Sequence, residues 1–316
     1  MAYTFVYMPP SRKDGLSMTN ERTTLTTNPS VTDNHITTAR RILPPTTDFV
    51  FKQLFGNIHD TEILSAFLKA TLNLPDDEIE DIVIVDPHLQ REREDDKLGI
   101  VDVRVRTKSK RELDIEVQVQ EADFMKNRIE FYNVKMLTGQ MASGNEYNTL
   151  QQTINIVITN YNLVDNPNAD MYHHSFVRYD MKNQVQFSDL TVIHTLELPK
   201  LPSTEDSSKL WEWLKFLSST TKEEFTMIAE KDPAIKKAVN KLTILSEDER
   251  NQMIYDYKER ARMDANARES FVRNQGRAEG MAQAKQVFKY HYSGKSTEEI
   301  ASLCNLSLDE VKEILS

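Results

Sequence analysis

The sequence predicts an α/β protein, with helices packed on a central sheet and a mostly helical C-terminal region. Three observations predict it. The stretch "GIVDVRVRTKSKRELDIEVQVQ" (99–120) alternates apolar and polar residues on both sides of a short basic loop, as a strand pair does. "TINIVITN" (153–160) is an apolar, β-branched run of strand length. From about Thr204 the apolar residues fall at helical spacing instead.

Bulk properties narrow the function classes. The 316 residues suit one large domain or two modest ones. With 8 glycines and no GxGxxG or GxxxxGK[ST], a glycine-rich nucleotide loop is not expected. The net charge of −10 means that any contact with nucleic acid must come from a local basic patch or through bound metal ions. The single cysteine, Cys304, permits no intrachain disulfide and fits a reducing cytosol. No apolar run reaches the roughly 20 residues that span a bilayer, and no apolar signal segment opens the chain. The expectation is a soluble, cytoplasmic protein without membrane contact.

Residues 1–42 are rich in Thr, Asn, Ser and charge without a sustained period, and read as a disordered arm, with Met18 as an alternative start. The first helix follows "LPPTT", with Thr47 or Asp48 as N-cap and Phe51, Leu54 and Phe55 on one face. Gly56 and Asn57 separate it from a second helix that carries Ile63, Phe67, Leu68 and Leu72. "IEDIVIVDPHL" reads as a strand ended by Pro87, and the strand pair of 99–120 supplies two more. An amphipathic helix with Phe124, Ile129, Tyr132 and Met136 precedes "TINIVITN". The order is therefore helix, three strands, helix, strand (αβββαβ). "HHSFVRYD" and "VQFSDLTVIHTLEL" read as further strands. Within the helical region (204–294), Gly276 and Gly280 are expected to weaken the segment that holds them. Ser296 and Ser307 are good N-caps for a terminal pair of short helices (295–316).

The strand pair raises a specific chemical question. Val101, Val103 and Val105 point one way, and Ile100, Asp102, Arg104 and Arg106 the other. Ile115, Val117 and Val119 share one face of the next strand, while Glu112, Asp114, Glu116, Gln118 and Gln120 share the opposite one. If Thr107 to Arg111 form the loop, Arg106 faces Glu112 and Arg104 faces Asp114, both of opposite charge. The same register sets Asp102 against Glu116, two like charges. A divalent cation held between them would remove the conflict. The alternative is a solvated sheet face on which Arg104 shields both acids.

Asp102 on one strand and Glu116-x-Gln118 on the next, flanked by helices, resemble the PD-(D/E)XK nuclease core, which has the restriction-endonuclease-like fold. More closely, "PPTTDFVFKQLFG", "REREDDKLGIVDVRVRT", "LDIEVQVQ", "FYNVKMLTGQM", "HTLELPKL" and the C-terminal "DPAIKKAVNKL…EIASLCNLSLDEVKEIL" resemble the recombination-promoting nucleases, a family often described as transposases. The likeness runs from about Leu43 to the C-terminus, with residues 43–203 as the nuclease-like domain. It implies metal-dependent DNA cleavage in recombination, transposition or anti-phage defence. Asp102 and Glu116 would hold Mg²⁺ (with Mn²⁺ or Ca²⁺ as alternatives), and the Val117 carbonyl would be a further ligand. Gln118 is the departure from the wider superfamily, which usually has lysine there. An amide can orient a water but cannot act as a base. The resemblance also marks Asp48 and Lys52 of "DFVFK", and Tyr132 and Lys135 one turn apart on the helix that follows. For these, the residue types alone equally suit an N-cap, a surface lysine and a helix–sheet contact. A catalytically inactive module that binds nucleic acid or a protein partner is the second functional reading.

Other signals carry less. His173 and His174 are adjacent and point to opposite faces of a strand. Trp211 and Trp213 suit helix packing. The terminal helix pair resembles a helix-turn-helix, but Asp309, Glu310 and Glu313 outweigh Lys312 on its second helix, which favours packing over DNA readout. The charged C-terminal helices offer a route to a homo-oligomer.

Overall fold

The computed structural model describes residues 41–72, 76–89, 99–100, 102–141, 144, 146–165 and 171–316. The arm expected over 1–42 therefore lies outside the described residues except for its last two, and Val101 also lies outside them. The chain opens with α1 (Asp48–Phe55), α2 (Glu62–Thr71) and the short α3 (Asp76–Glu80). The strands β1 (Val83–Val85), β2 (His88–Leu89), β3 (Gly99–Ile100), β4 (Val103–Arg106) and β5 (Glu112–Gln118) follow. Helix α4 (Met125–Thr138) connects β5 to β6 (Thr153–Thr159), and β7 (His173–Asp180) pairs with β8 (Val185–Glu197). The rest is helical: α5 (Lys209–Ser218), α6 (Lys222–Ala229), α7 (Pro233–Glu247), α8 (Glu249–Tyr292), α9 (Thr297–Cys304) and α10 (Leu308–Leu315).

Six strands form one mixed sheet in the order β1-β4-β5-β6-β8-β7. The β5–β6 and β6–β8 pairs are parallel, and the others are antiparallel. A parallel pair needs a crossover, and α4 supplies it for β5 and β6. One face of the sheet presents Val103, Val105, Leu113, Ile115, Val117, Ile154, Ile156 and Ile158 to the main core. Helices α1, α2, α5, α6 and α7 cover that face with Phe51, Phe67, Trp213, Phe225 and Leu242 among others. Its centre is aromatic: Phe67 meets Phe55 and Trp213 with ring centroids 5.4 and 5.9 Å away. Trp211 and Trp213 are thus core residues, as expected. On the other face α4 packs Met125 and Ile129 against Val157 and Ile193.

Two expectations need correction. The strand read through 99–107 is broken. β3 pairs with β2, Asp102 lies in a bend, and the ladder with β5 begins only at Val103. The cause is Asp102 itself, whose Oδ2 accepts the Val117 N–H at 3.1 Å and so replaces a ladder carbonyl. Phe124 is 62% exposed, because it is the residue that precedes the first turn of α4 and not part of its packed face. Gly276 and Gly280, expected to weaken their segment, lie inside the unbroken 44-residue α8. Each costs only about 1 kcal/mol against alanine, too little to break a helix with Ala278, Ala282 and Ala284 around it. At the C-terminus, Ser296 and Ser307 both complete capping boxes, with Glu299 and Glu310. Val287, Ile300, Ala301 and Val311 form a small separate core there.

Candidate active site

The inferred register is correct. Arg104 lies opposite Asp114 and Arg106 opposite Glu112. The ion pairs are distributed differently. Glu112 takes both guanidinium groups, with Arg106 Nη2 at 2.8 Å and Arg104 Nη2 at 2.5 Å. Among the described residues no cation forms an ion pair with Asp114, which accepts instead from Asn155 Nδ2 at 3.0 Å. This is no solvated face, since Glu112, Asp114 and Glu116 are all buried. Asn155 accepts in turn from Asn133 Nδ2 of α4 at 2.7 Å, and Thr153 donates to Asn133 Oδ1 at 3.2 Å. A buried amide chain therefore ties α4 to β6 and fixes the carboxylate of Asp114.

Asp102 and Glu116 are held by cations from opposite layers. Lys52 of α1 places Nζ 3.0 Å from Asp102 Oδ1 and 2.7 Å from Asp48 Oδ1. Lys258 of α8 reaches Asp48 Oδ2 at 3.1 Å. The row Lys258–Asp48–Lys52–Asp102 alternates in sign and leads from the long helix to the site. Arg128 of α4 puts Nη2 2.8 Å from Glu116 Oε1, and Gln118 Nε2 donates to the same oxygen. Arg128 also lies over the ring of Tyr132, 5.1 Å from its centroid.

Electrostatics follow from this placement. Burial, followed by the charges of Glu116 and Asp102, pushes Asp114 well above the usual carboxylate range. Burial raises Glu116 too, with Asp102 adding to it and Arg128 opposing. Burial disfavours the charge on Lys52, but Asp48 and Asp102 outweigh it and raise its pKa. Glu116 Oε2 and Asp114 Oδ1 are buried without a hydrogen-bond partner. Such oxygens are costly unless something positive meets them.

The donor set at Asp102 and Glu116 is of the kind that a hard divalent cation takes. It contains hard oxygens only, and Glu116 Oε2 is an unmet acceptor. Among the described residues no three His, Cys, Asp or Glu side chains form a ready ion cage. Two carboxylates and a carbonyl still suit Mg²⁺, which is commonly held by one or two carboxylates and keeps several waters. Asp102, Glu116 and the Val117 carbonyl are therefore donors of the type that such an ion takes.

Of the other expected residues, Asp48 and Lys52 join the site as a pair that steadies Asp102. Tyr132 is buried beside Met136 in the helix–sheet layer, and its ring lies under Arg128. Lys135 stands apart, on a cavity around Glu112. The sequence reading missed Arg128, Asp114 as an unpaired acid, and the Asn133–Asn155 support. Arg128 precedes Tyr132 by one helical turn, which was a usable signal. Nothing local marked Asn155, because its role depends on the β5–β6 register.

The sequence model for the PD-(D/E)XK nuclease family transposase matches residues 45–269. No curated protein and no solved structure matches the chain. The match takes in Lys52 of α1, Asp102, Glu116, α4, the mixed sheet and the first half of α8. The chain belongs to the PD-(D/E)XK nuclease family of transposases.

Proposed function

We propose that this protein is a divalent-metal-dependent DNA endonuclease that hydrolyses phosphodiester bonds with little sequence preference. Its setting is recombination, transposition or anti-phage defence, in the cytoplasm. The observation that carries this reading is the buried, unpartnered Oε2 of Glu116 in the field of Asp102. When bound, a cation such as Mg²⁺ supplies Lewis acidity toward a phosphate oxygen and lowers the pKa of a water. The residues of the chain prepare for this. Arg128 sets its charge against Glu116 and Lys52 sets its charge against Asp102, and the Val117 N–H fixes the direction of Asp102. Gln118 spends its amide N–H on Glu116 and keeps its carbonyl oxygen to orient a water, without accepting a proton.

A second reading, an inactive module that binds nucleic acid or protein, is favoured by Glu116 Oε1 being already engaged by Arg128 and Gln118. Supercoiled plasmid incubated with Mg²⁺, with Mn²⁺ or with EDTA separates the two, beside Asp102→Ala and Glu116→Ala. Nicking that needs the metal and both acids supports the enzyme. Nicking that survives EDTA or both substitutions excludes this mechanism, and no nicking by the unmodified chain favours the binding module. The exposed length of α8, with Phe271 and Met281 at the surface, remains the route proposed for a homo-oligomer.

A further inference from the structure

We infer that the cavity beside Glu112 is a subsite for the nucleic-acid backbone, holding a phosphodiester a few nucleotides from the acids. This rests on the proposed nuclease reading only for the identity of the ligand. The cavity has a volume of about 470 Å³, and the cations Arg104, Arg106, Lys110 and Lys135 line it in excess over the acids Asp86 and Glu112. In a chain of net charge −10 this is a local concentration of cations on the sheet face that bears Asp114 and Glu116.

The arrangement is built to keep that charge pointing inward. Glu112 is 4% exposed and engages both Arg104 and Arg106, so it acts as a brace between two guanidinium groups. The two forks are thereby held in fixed positions, a geometry suited to phosphate oxygens. Arg104 Nε is buried with no hydrogen-bond partner, a donor left unmet in the arginine that lines the cavity wall. The floor is fixed as well, because Gln140 donates to the Gln151 carbonyl at 3.1 Å and accepts the Gln151 N–H at 2.8 Å.

Lys110 gives an independent sign. It sits in the β4–β5 loop with φ +68°, a conformation that glycine or asparagine adopts far more readily than lysine. A lysine kept there against its backbone preference is explained by its charge at the cavity. The distance is also suitable. Glu112 and Glu116 share one face of β5 four residues apart, about 13 Å at 3.3 Å per residue. Nucleic acid rises 3.4 Å per nucleotide, so a strand held at the acids brings another phosphate to the cavity within about four steps.

The test uses the full chain and a short fluorescein-labelled DNA duplex in EDTA, which withholds divalent metal, with affinity followed from about 0.05 to 0.2 M salt. The variant is Lys110→Gly with Lys135→Ala, and Lys110→Gly alone serves as the folding control. The double variant is expected to bind about three- to tenfold more weakly, with a salt slope lower by about 1 to 2. Lys110→Gly alone should melt at or above the temperature of the parent chain, because it relieves the backbone, so weaker binding by it is not unfolding. Unchanged affinity and slope in the double variant, or no DNA binding by the parent chain, would overturn the proposal. So would stabilisation by inorganic pyrophosphate that the double variant loses while DNA binding is untouched, since that marks a site for soluble polyphosphate. Binding that depends on the cavity in a protein that never nicks plasmid leaves this inference standing and defeats the catalytic one.

Discussion

Arg128 spans from α4 to β5 and places Nη2 2.8 Å from Oε1 of Glu116. The contact couples the helix that covers the sheet to an acid that burial makes harder to ionise. Removing Arg128 takes away the charge that opposes burial, so the pKa of Glu116 rises further. Arg128→Ala is expected to move the acidic limb of plasmid nicking to higher pH. At pH 6 nicking should fall about tenfold, the effect of losing a charge-assisted hydrogen bond. A pH profile of nicking by the two proteins checks this, and an unshifted limb would show that Arg128 does not act through Glu116.

Lys52 and Lys258 occupy successive places in one row of charges, so their effects should be graded. Lys52 contacts Asp102 directly, and Lys52→Met should lower nicking about 10- to 100-fold, as loss of a ligand's supporting partner does. Lys258 is half exposed and acts one step further away. Lys258→Ala should cost no more than about fivefold, the range of exposed ion pairs. Equal losses from the two would argue against the row as a support for Asp102.

Gln118 departs from the lysine of the wider superfamily yet donates to Glu116 here. Gln118→Lys keeps a donor at that place and should retain nicking. Gln118→Leu removes both the donor and the water-orienting carbonyl, and should lose about tenfold or more. Single-turnover nicking rates compare the two, and a leucine variant as active as the parent would remove Gln118 from the site.

Asn155 is the hydrogen-bond donor to a fully buried Asp114, and itself accepts from Asn133. Asn155→Leu leaves Asp114 Oδ2 without a partner and cuts the chain of amides. The expected cost is about 2–4 kcal/mol in urea unfolding. A loss below about 1 kcal/mol would mean that Asp114 is satisfied in another way.

His194 gives a stability signal away from the acids. Its ring lies 2.9 Å from His173 Nε2, and burial together with that neighbour pushes its pKa down to about 4. Above its ordinary value of 6.5 both the folded and the unfolded chain leave it neutral. Between 6.5 and about 4 the unfolded chain binds a proton that the folded chain does not, so stability falls as pH drops through that window. After allowance for partial exposure the loss is about 1–2 kcal/mol. His194→Gln should flatten this part of the stability curve, measured by urea unfolding at pH 7 and pH 4.5.

Much of the fold was legible locally. The period-2 alternation on both sides of the Thr107–Arg111 loop, together with opposite charges at 104/114 and 106/112, determined the β4–β5 register from local pattern alone. Side chains two apart must share a face of a strand, which also placed Asp114, Glu116 and Gln118 together. Capping residues determined both terminal helices, because Ser-x-x-Glu is a local signal. The family resemblance carried by Asp102 and Glu116-x-Gln118 was likewise present in the sequence.

Tertiary structure decided who pairs with whom. Cross-strand register predicted Arg104 with Asp114, but a long guanidinium can reach a diagonal neighbour, and Glu112 takes it. Asp114 is left to Asn155, a residue 41 positions away that only the parallel β5–β6 pairing brings near. Asp102 leaves the ladder because its own carboxylate caps the Val117 N–H, an event that alternation cannot encode. Lys52, Arg128 and Lys258 come from three separate helices whose approach to the site depends on how each packs. Sequence pattern determines the face on which a side chain lies. The distance to its partner is determined by the packing of elements that the pattern treats one at a time.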